Sequence, residues 1–188
     1  GAAVDMRALP QVVHHGGDGG PYITAAISFA KDPETGIYNC AYNRLMITGK
    51  DTTSIHLTLG KHLWEFHKVA QARGEPLQVA FAIGVHPAIA LGALSIGSDE
   101  DETALMGGLF GEAMEVVRCE TIDLLVPAQA EMIIEAEILP GDTVNEGPFG
   151  EFTGYSLGAR EREVVKVKAI TPRKDAYFYD MNVGHLDH

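Results

Sequence analysis

The first regular hydrophobic pattern opens at Tyr22-Ile23-Thr24-Ala25-Ala26-Ile27-Ser28-Phe29, where β-branched and aromatic residues predict a strand. Asp32-Pro33-Glu34-Thr35-Gly36 follows as a turn, with proline at its second position and glycine closing it. The strand pattern resumes from Ile37 to Thr48, which completes a hairpin. Thr53 to Leu59 alternates as a third strand, with Ile55, Leu57 and Leu59 on one face. The period then changes. Lys61 to Arg73 sets Leu63, Phe66 and Ala70 on one helical face, and Gly74 stands where a C-terminal cap belongs. Leu77 to Gly84 is a near-continuous apolar strand, Pro87 to Leu94 a small-residue helix, and Glu100 to Phe110 a second helix with Ser98 and Asp99 as cap candidates. Val116 to Arg118, Ala130 to Leu139, Phe152 to Leu157 and Glu163 to Ile170 read as strands, the last with the clearest alternation. Without a regular βαβ alternation, the pattern predicts an α+β fold: a split β-barrel-like, mostly antiparallel sheet with a few flanking helices.

Composition narrows the class. A chain of 188 residues, 46% hydrophobic and 21% charged, is a single globular domain by default. The 21 glycines and nine prolines favour turns and short strands. Residues 1–18 read as a flexible leader, with few side chains to pack in the glycine-rich run after His15, and 19–188 as the core domain. Against 26 acidic residues there are 14 basic ones, a formal net charge of −12, and no basic run of the kind nucleic acid requires. No apolar stretch approaches the roughly 20 residues of a membrane span. Cys40 and Cys119 form neither a disulfide framework nor a CxxC pair, and they fit buried small residues in a reducing, cytoplasmic compartment.

Familiar motifs are missing. Gly49-Lys50 lacks the upstream glycine of a phosphate-cradling loop, and the glycines at 16, 17, 19 and 20 run into Pro21 before a strand rather than into a helix. His62 and His67 are five apart on a helix, turned about 140° from each other, and cannot share a zinc as an i, i+4 pair does. One segment carries chemistry: Glu146-Gly147-Pro148-Phe149-Gly150-Glu151-Phe152-Thr153-Gly154-Tyr155. Two carboxylates flank a tight turn, the glycines admit a close neighbour, and Phe149 offers a flat apolar wall. Converging carboxylates raise one another's pKa, which makes a proton donor at neutral pH. From residue types alone, the plainer reading is a surface loop with two solvated glutamates.

That segment, together with VVRCETIDLLVPAQAEMIIEAEI upstream, GGPYIT at 19–24, DPETGIYN at 32–39, a strand ending in Arg44, Lys61-His62 and AIGVHP at 82–87, resembles the UbiD family of prenylated-FMN-dependent decarboxylases. The likeness covers about residues 19–180, the central, flavin-binding part of a family member, without its N-terminal α/β and C-terminal oligomerisation domains. It implies a carboxy-lyase that reversibly decarboxylates an aromatic or α,β-unsaturated acid, without oxidation, through a covalent adduct with prenylated FMN. It implies also a divalent cation, Mn or Mg, with potassium beside it, a homo-oligomeric full-length parent, and a flavin prenyltransferase as cofactor supplier.

By motif position, the resemblance assigns the divalent-cation ligands to Asn39, His62 and Glu102, and the Arg-Glu-Glu network to Arg44, Glu146 and Glu151. Arg44 would bind the substrate acid group and order Glu146, and Glu151 would protonate the carbon that CO2 leaves. Cofactor contacts fall to Asn39, Cys40, Ala41, Tyr42, Asn43, Arg44, Lys61, His62 and Glu102. Tyr42-Asn43 is bulkier and more polar than the small apolar pair of some members. Each residue also has a structural reading: Asn39 as a turn amide, His62 beside a helix N-cap, Glu102 in a first helical turn, Trp64 as a core anchor, and Arg44 with its glutamates as a packing network. At the level of function the alternative is a non-catalytic flavin- or metal-binding split-barrel module, or an inactive fragment.

Overall fold

The computed structural model describes residues 4–95, 102–151 and 153–183. Ten strands and three α-helices follow the chain: β1 Tyr22–Lys31, β2 Tyr38–Ile47, β3 Thr52–Ile55, α1 His62–Ala72, β4 Leu77–Ile83, α2 Pro87–Gly92, α3 Glu102–Phe110, β5 Val116–Arg118, β6 Leu125–Pro127, β7 Met132–Glu146, β8 Phe149–Gly150, β9 Ser156–Leu157 and β10 Arg160–Pro172. Six of them close an antiparallel barrel in the order β1-β2-β3-β10-β7-β4, while β5-β6 and β8-β9 are separate two-stranded ribbons. This is the α+β, barrel-like architecture that the alternation predicts.

Two hydrophobic clusters divide the faces of the barrel wall. Leu45, Ile47, Ile55, Leu57, Val79, Phe81, Ile83, Ile134, Ile138, Val165 and Val167 point inward, and α1 closes the interior with Leu63, Phe66 and Ala70. On the outer face, Ile27, Phe29, Ala80, Ala82 and Ile133 meet Ile89 of α2, Met106 of α3 and Val126 of the β5-β6 ribbon. The unbroken apolar run of β4 follows from this: it is covered on both sides. Helix α1 ends as expected, with Gly74 at φ +70 beyond its last turn, a conformation open to glycine at little cost.

Where the elements differ from the sequence pattern, the causes are local. The third strand stops at Ile55. Ile55 and Leu57 are buried, but Leu59 is 76% exposed, because the chain has already turned at Thr58–Gly60 into α1. β7 runs on past Leu139 to Glu146, and the pairing with β10 jumps from Ile138↔Val165 to Thr143↔Glu163, so Pro140 and Gly141 sit in a bulge instead of ending the strand. The strand expected from Phe152 to Leu157 is only Ser156–Leu157. Glu151 to Tyr155 is a turn closed by Glu151 N–H to the Tyr155 carbonyl at 2.9 Å, and Phe152 lies outside the described residues. The cap candidates Ser98 and Asp99 also lie outside them. β6 and β8 are too short to register in a periodicity.

Residues 4–18, read as a leader, have side chains that pack on the barrel. Met6 is fully buried in the core, His14 Nε2 lies 3.0 Å from Asp180 Oδ2, and Asp18 accepts from the Gly150 N–H at 2.9 Å. Both cysteines are buried, and burial pushes the Cys119 thiol up to about 12. No helix among the described residues is long and apolar enough to cross a membrane.

Candidate active site

Strand β2 carries most of the expected residues because it is hydrogen-bonded on both edges, to β1 and β3, and so holds its side chains in a fixed register. At its outer end Arg44 donates from Nε to Glu146 Oε1 at 2.9 Å and from Nη1 to Glu151 Oε1 at 2.5 Å. Glu146 Oε2 accepts from Ser54 Oγ at 3.1 Å. The guanidinium lies over the Phe149 ring, 4.6 Å from its centroid, and Phe149 packs on Tyr22 with centroids 4.4 Å apart. Solvent access grades across the trio: the side chains of Glu146, Arg44 and Glu151 are 2, 15 and 23% exposed. Burial and the Glu146 charge raise the pKa of Tyr22 above its ordinary value, which keeps the phenol neutral.

The turn that presents the two glutamates is built against the GGPYIT segment. The Gly19 N–H donates to the Pro148 carbonyl at 2.7 Å. A Cβ on Gly19 would fall 2.0 Å from the Gly147 carbonyl oxygen, so the approach of the two segments requires glycine. Gly147 itself sits at φ +96, ahead of the cis Gly147-Pro148 bond.

At the other end of β2, Asn39 Oδ1 is 2.8 Å from His62 Nδ1, and Glu102 Oε1 is 3.8 Å from the same nitrogen. His62 opens α1 and Glu102 opens α3, so two helix starts and a strand converge. An amide oxygen, an imidazole nitrogen and a carboxylate suit a hard or borderline divalent cation, whose octahedral ligands stand about 3 Å apart. The three side chains fit such an ion. Among the described residues no group of three or more His, Cys, Asp or Glu is placed to hold a metal ion.

A cavity of about 550 Å³ opens beside it, lined by Asn39, Cys40, Ala41, Tyr42, Asn43, Lys61, His62 and Glu102, with Thr58 and Trp64. A second chamber of about 300 Å³ is lined by Arg44, Glu151, Phe149, His56, Thr24 and Met181, and it shares Tyr42, Asn43 and Thr58 with the first. All expected cofactor-side residues except Arg44 meet in the larger cavity, and Arg44 faces the smaller one with Glu151. Trp64 packs on the core, as expected, and also forms part of the cavity wall.

Three contributors were not anticipated. Ser54 and His56 alternate with the buried Ile55 and Leu57, a pattern that does turn them to the face of Arg44 once the hairpin pairing is known. The chain after β10 folds back so that Asp180 accepts from the Thr24 N–H at 2.8 Å, and Met181 and Val183 reach the chamber. Nothing periodic in that tail announces it.

The closed barrel thus carries Asn39, His62 and Glu102 together at one end of a strand and an Arg-Glu-Glu network at the other. The family model "UbiD: 3-octaprenyl-4-hydroxybenzoate carboxy-lyase Rift-related domain" matches residues 1–186, and the chain belongs to the UbiD family. It is 37% identical over 98% of its length to an anhydromevalonate phosphate decarboxylase of Methanothermobacter thermautotrophicus, and 34% identical over 94% to a phenolic acid decarboxylase of Bacillus subtilis. The chain spans 43 and 38% of those relatives, less than half of either. The UbiD-class enzyme HmfF of Pelotomaculum thermopropionicum, solved as an evolved dimer in complex with prFMN (prenylated FMN), superposes with a TM-score of 0.91 at 45% identity, covering 94% of this chain and 42% of that one.

Proposed function

We propose that the chain is the prenylated-FMN-binding core of a UbiD-type decarboxylase, acting on an aromatic or α,β-unsaturated carboxylic acid by non-oxidative loss of CO2. One observation carries the reading: Arg44 bridges Glu146 and Glu151 at the wall of a chamber that shares Tyr42, Asn43 and Thr58 with the cavity of Asn39, His62 and Glu102. The similarity to the two named decarboxylases and to the prFMN-bound HmfF supports it.

When bound, prenylated FMN supplies the electron sink for decarboxylation. Asn39, His62 and Glu102 would hold its phosphate through a divalent cation, which a chain of net charge −12 needs in order to accept a dianion. Lys61 lies at the same cavity and adds positive charge. Arg44 is the anchor for the acid: its planar fork suits a carboxylate and it cannot lose its proton. Glu146, almost wholly buried and braced by Ser54, fixes the orientation of that fork. A substrate carboxylate drawn to Arg44 competes with Glu151 for Nη1. Glu151, the more exposed of the two acids, is then at liberty to carry a proton and deliver it to the carbon from which CO2 departs. Tyr42, Phe149 and Met181 give the chamber wall its apolar surface.

The test uses the flavin-loaded protein and a panel of unsaturated acids, with CO2 release as the readout. Arg44→Ala and Glu151→Gln should each lower the rate by at least about 100-fold, the usual scale of a lost general acid or anchoring charge. Unchanged rates in both variants would sink the assignment.

A further inference from the structure

The turn that presents Glu151 is gripped by a carboxylate well before β1. The Asp18 N–H donates to the His15 carbonyl at 3.0 Å, and the His15 N–H donates to Asp18 Oδ2 at 3.0 Å, so residues 15–18 form a turn closed from both ends. That leaves Oδ1, which accepts from the Gly150 N–H at 2.9 Å, one residue ahead of Glu151. The Asp18 side chain is 1% exposed, and its ion-pair neighbour among the described residues is His15, with Nδ1 3.5 Å from Oδ2. Burying a carboxylate is costly unless its oxygens are bonded, and bonds to a charged acceptor are about twice as strong as neutral ones.

The joint has little slack. The His15 ring fills the space beside Gly150, where a Cβ would fall 2.5 Å from Nδ1. His14 Nε2, 3.0 Å from Asp180 Oδ2, ties the same segment to the tail that brings Met181 to the chamber. Beyond Gly150, the Glu151 N–H donates to the Tyr155 carbonyl and the Glu151 carbonyl accepts from the Gly154 N–H, both at 2.9 Å. The backbone of Glu151 is thus held on both sides, and its side chain reaches Arg44 Nη1 and the chamber from that fixed base.

We propose that Asp18 is a positioning residue for the proton donor: its bond to the Gly150 N–H sets where the Glu151 carboxyl stands in the chamber. Asp18 lines neither cavity and acts through the turn alone. The proposal rests on Glu151 being the proton donor argued above.

The test compares Asp18→Ala and Asp18→Asn with the unaltered protein. Asp18→Asn keeps the shape and one carbonyl acceptor, so a folded variant is available if Asp18→Ala does not fold. Amide exchange followed by NMR should be at least about tenfold faster at the Gly150 N–H of Asp18→Ala. In the cofactor-loaded protein, with the acid turned over fastest in the panel above, Asp18→Ala should lower kcat about 10- to 100-fold, the scale of a displacement of about 1 Å. KM should stay within about twofold, because Arg44 is untouched, and Asp18→Asn should recover part of the lost kcat. The solvent deuterium isotope effect on kcat should rise in both variants as proton delivery slows, whereas mere loss of folded protein lowers the apparent kcat and leaves that effect as it was. A Gly150 N–H that exchanges at the unaltered rate in the folded variants, or an unchanged kcat and isotope effect in them, overturns the proposal. Failure of the Glu151 reading has its own signature: Glu151→Gln would leave the rate unchanged.

Discussion

Replacing Arg44 by methionine tests how far the fold depends on the network at its site. The variant leaves the Glu146 carboxylate, 2% exposed, with the Ser54 hydroxyl as its one side-chain donor among the described residues. Breaking a buried ion pair by removing one partner costs about 3–5 kcal/mol, because the other charge stays desolvated. The bond to Glu151 adds little, since that side chain is 23% exposed and solvent screens the pair. Loss of the cation over Phe149 adds about 0.5–1 kcal/mol. A cost of about 4 kcal/mol, in a chain of this length, lowers Tm by about 8–16 °C. Adding Glu146→Met removes the stranded charge and leaves two apolar side chains of similar volume, so the double variant should return to within about 1 kcal/mol of the unaltered protein. Thermal and urea unfolding followed by circular dichroism, on both single variants and the double, measures each corner of the cycle. An Arg44→Met protein within about 1 kcal/mol of the unaltered one, or a double variant no more stable than Arg44→Met, would refute the reasoning.

Two further outcomes follow from buried or crowded positions. His67 is buried in α1, and burial with the nearby Lys68 charge lowers its pKa below 6.5, so the folded protein resists a proton that the unfolded chain takes up. Its contribution is therefore fully present above pH 6.5 and lost as pH falls below it; Tm measured from pH 7.5 to pH 5 should drop less steeply in His67→Leu, and equal slopes would count against the assignment. Gly19→Ala drives a Cβ to 2.0 Å from the Gly147 oxygen and should cost about 1–3 kcal/mol, whereas Gly17→Ala, with nothing within 4 Å, should be nearly neutral; equal unfolding midpoints for the two would show that the turn yields freely.

The barrel was legible because its two faces write different patterns. Val164 to Ala169 alternates cleanly, while Leu77 to Gly84 is apolar throughout because α2, α3 and the β5-β6 ribbon cover its second face. Periodicity misled where closure of the barrel overrides local signals. Pro140 and Gly141 look like the end of a strand, yet the ladder between β7 and β10 resumes beyond them, and Leu59 continues an alternation after the strand has ended. The residues of the candidate site came from the family's motifs, not from spacing. Asn39, His62 and Glu102 are scattered over 64 positions, and no local rule joins them. The contributions of Ser54 and His56 depend on which strand β3 pairs with, and that of Met181 on a tail that folds back by hydrogen bonds to Thr24.

The two ends of the site are tied together by a single strand. Asn39 and Arg44 lie five positions apart on β2, about 17 Å of extended chain. Ser28 braces that span, with Oγ 3.0 Å from the Ala41 carbonyl and 2.7 Å from the Asn43 side-chain oxygen. A slip of one residue would put Leu45 at the chamber and Arg44 in the barrel interior, which is lined by Ile55, Val79 and Val165. Burial of the core therefore enforces the register of Asn39 and Arg44 on β2. The roof of the chamber has a different basis. Phe149 and Glu151 come from a turn held to Gly19, and Met181 from a tail held to Thr24, each by a few hydrogen bonds rather than a ladder. Substitutions in those two segments can reshape the chamber without disturbing the register, whereas substitutions on β2 alter the site and the fold together.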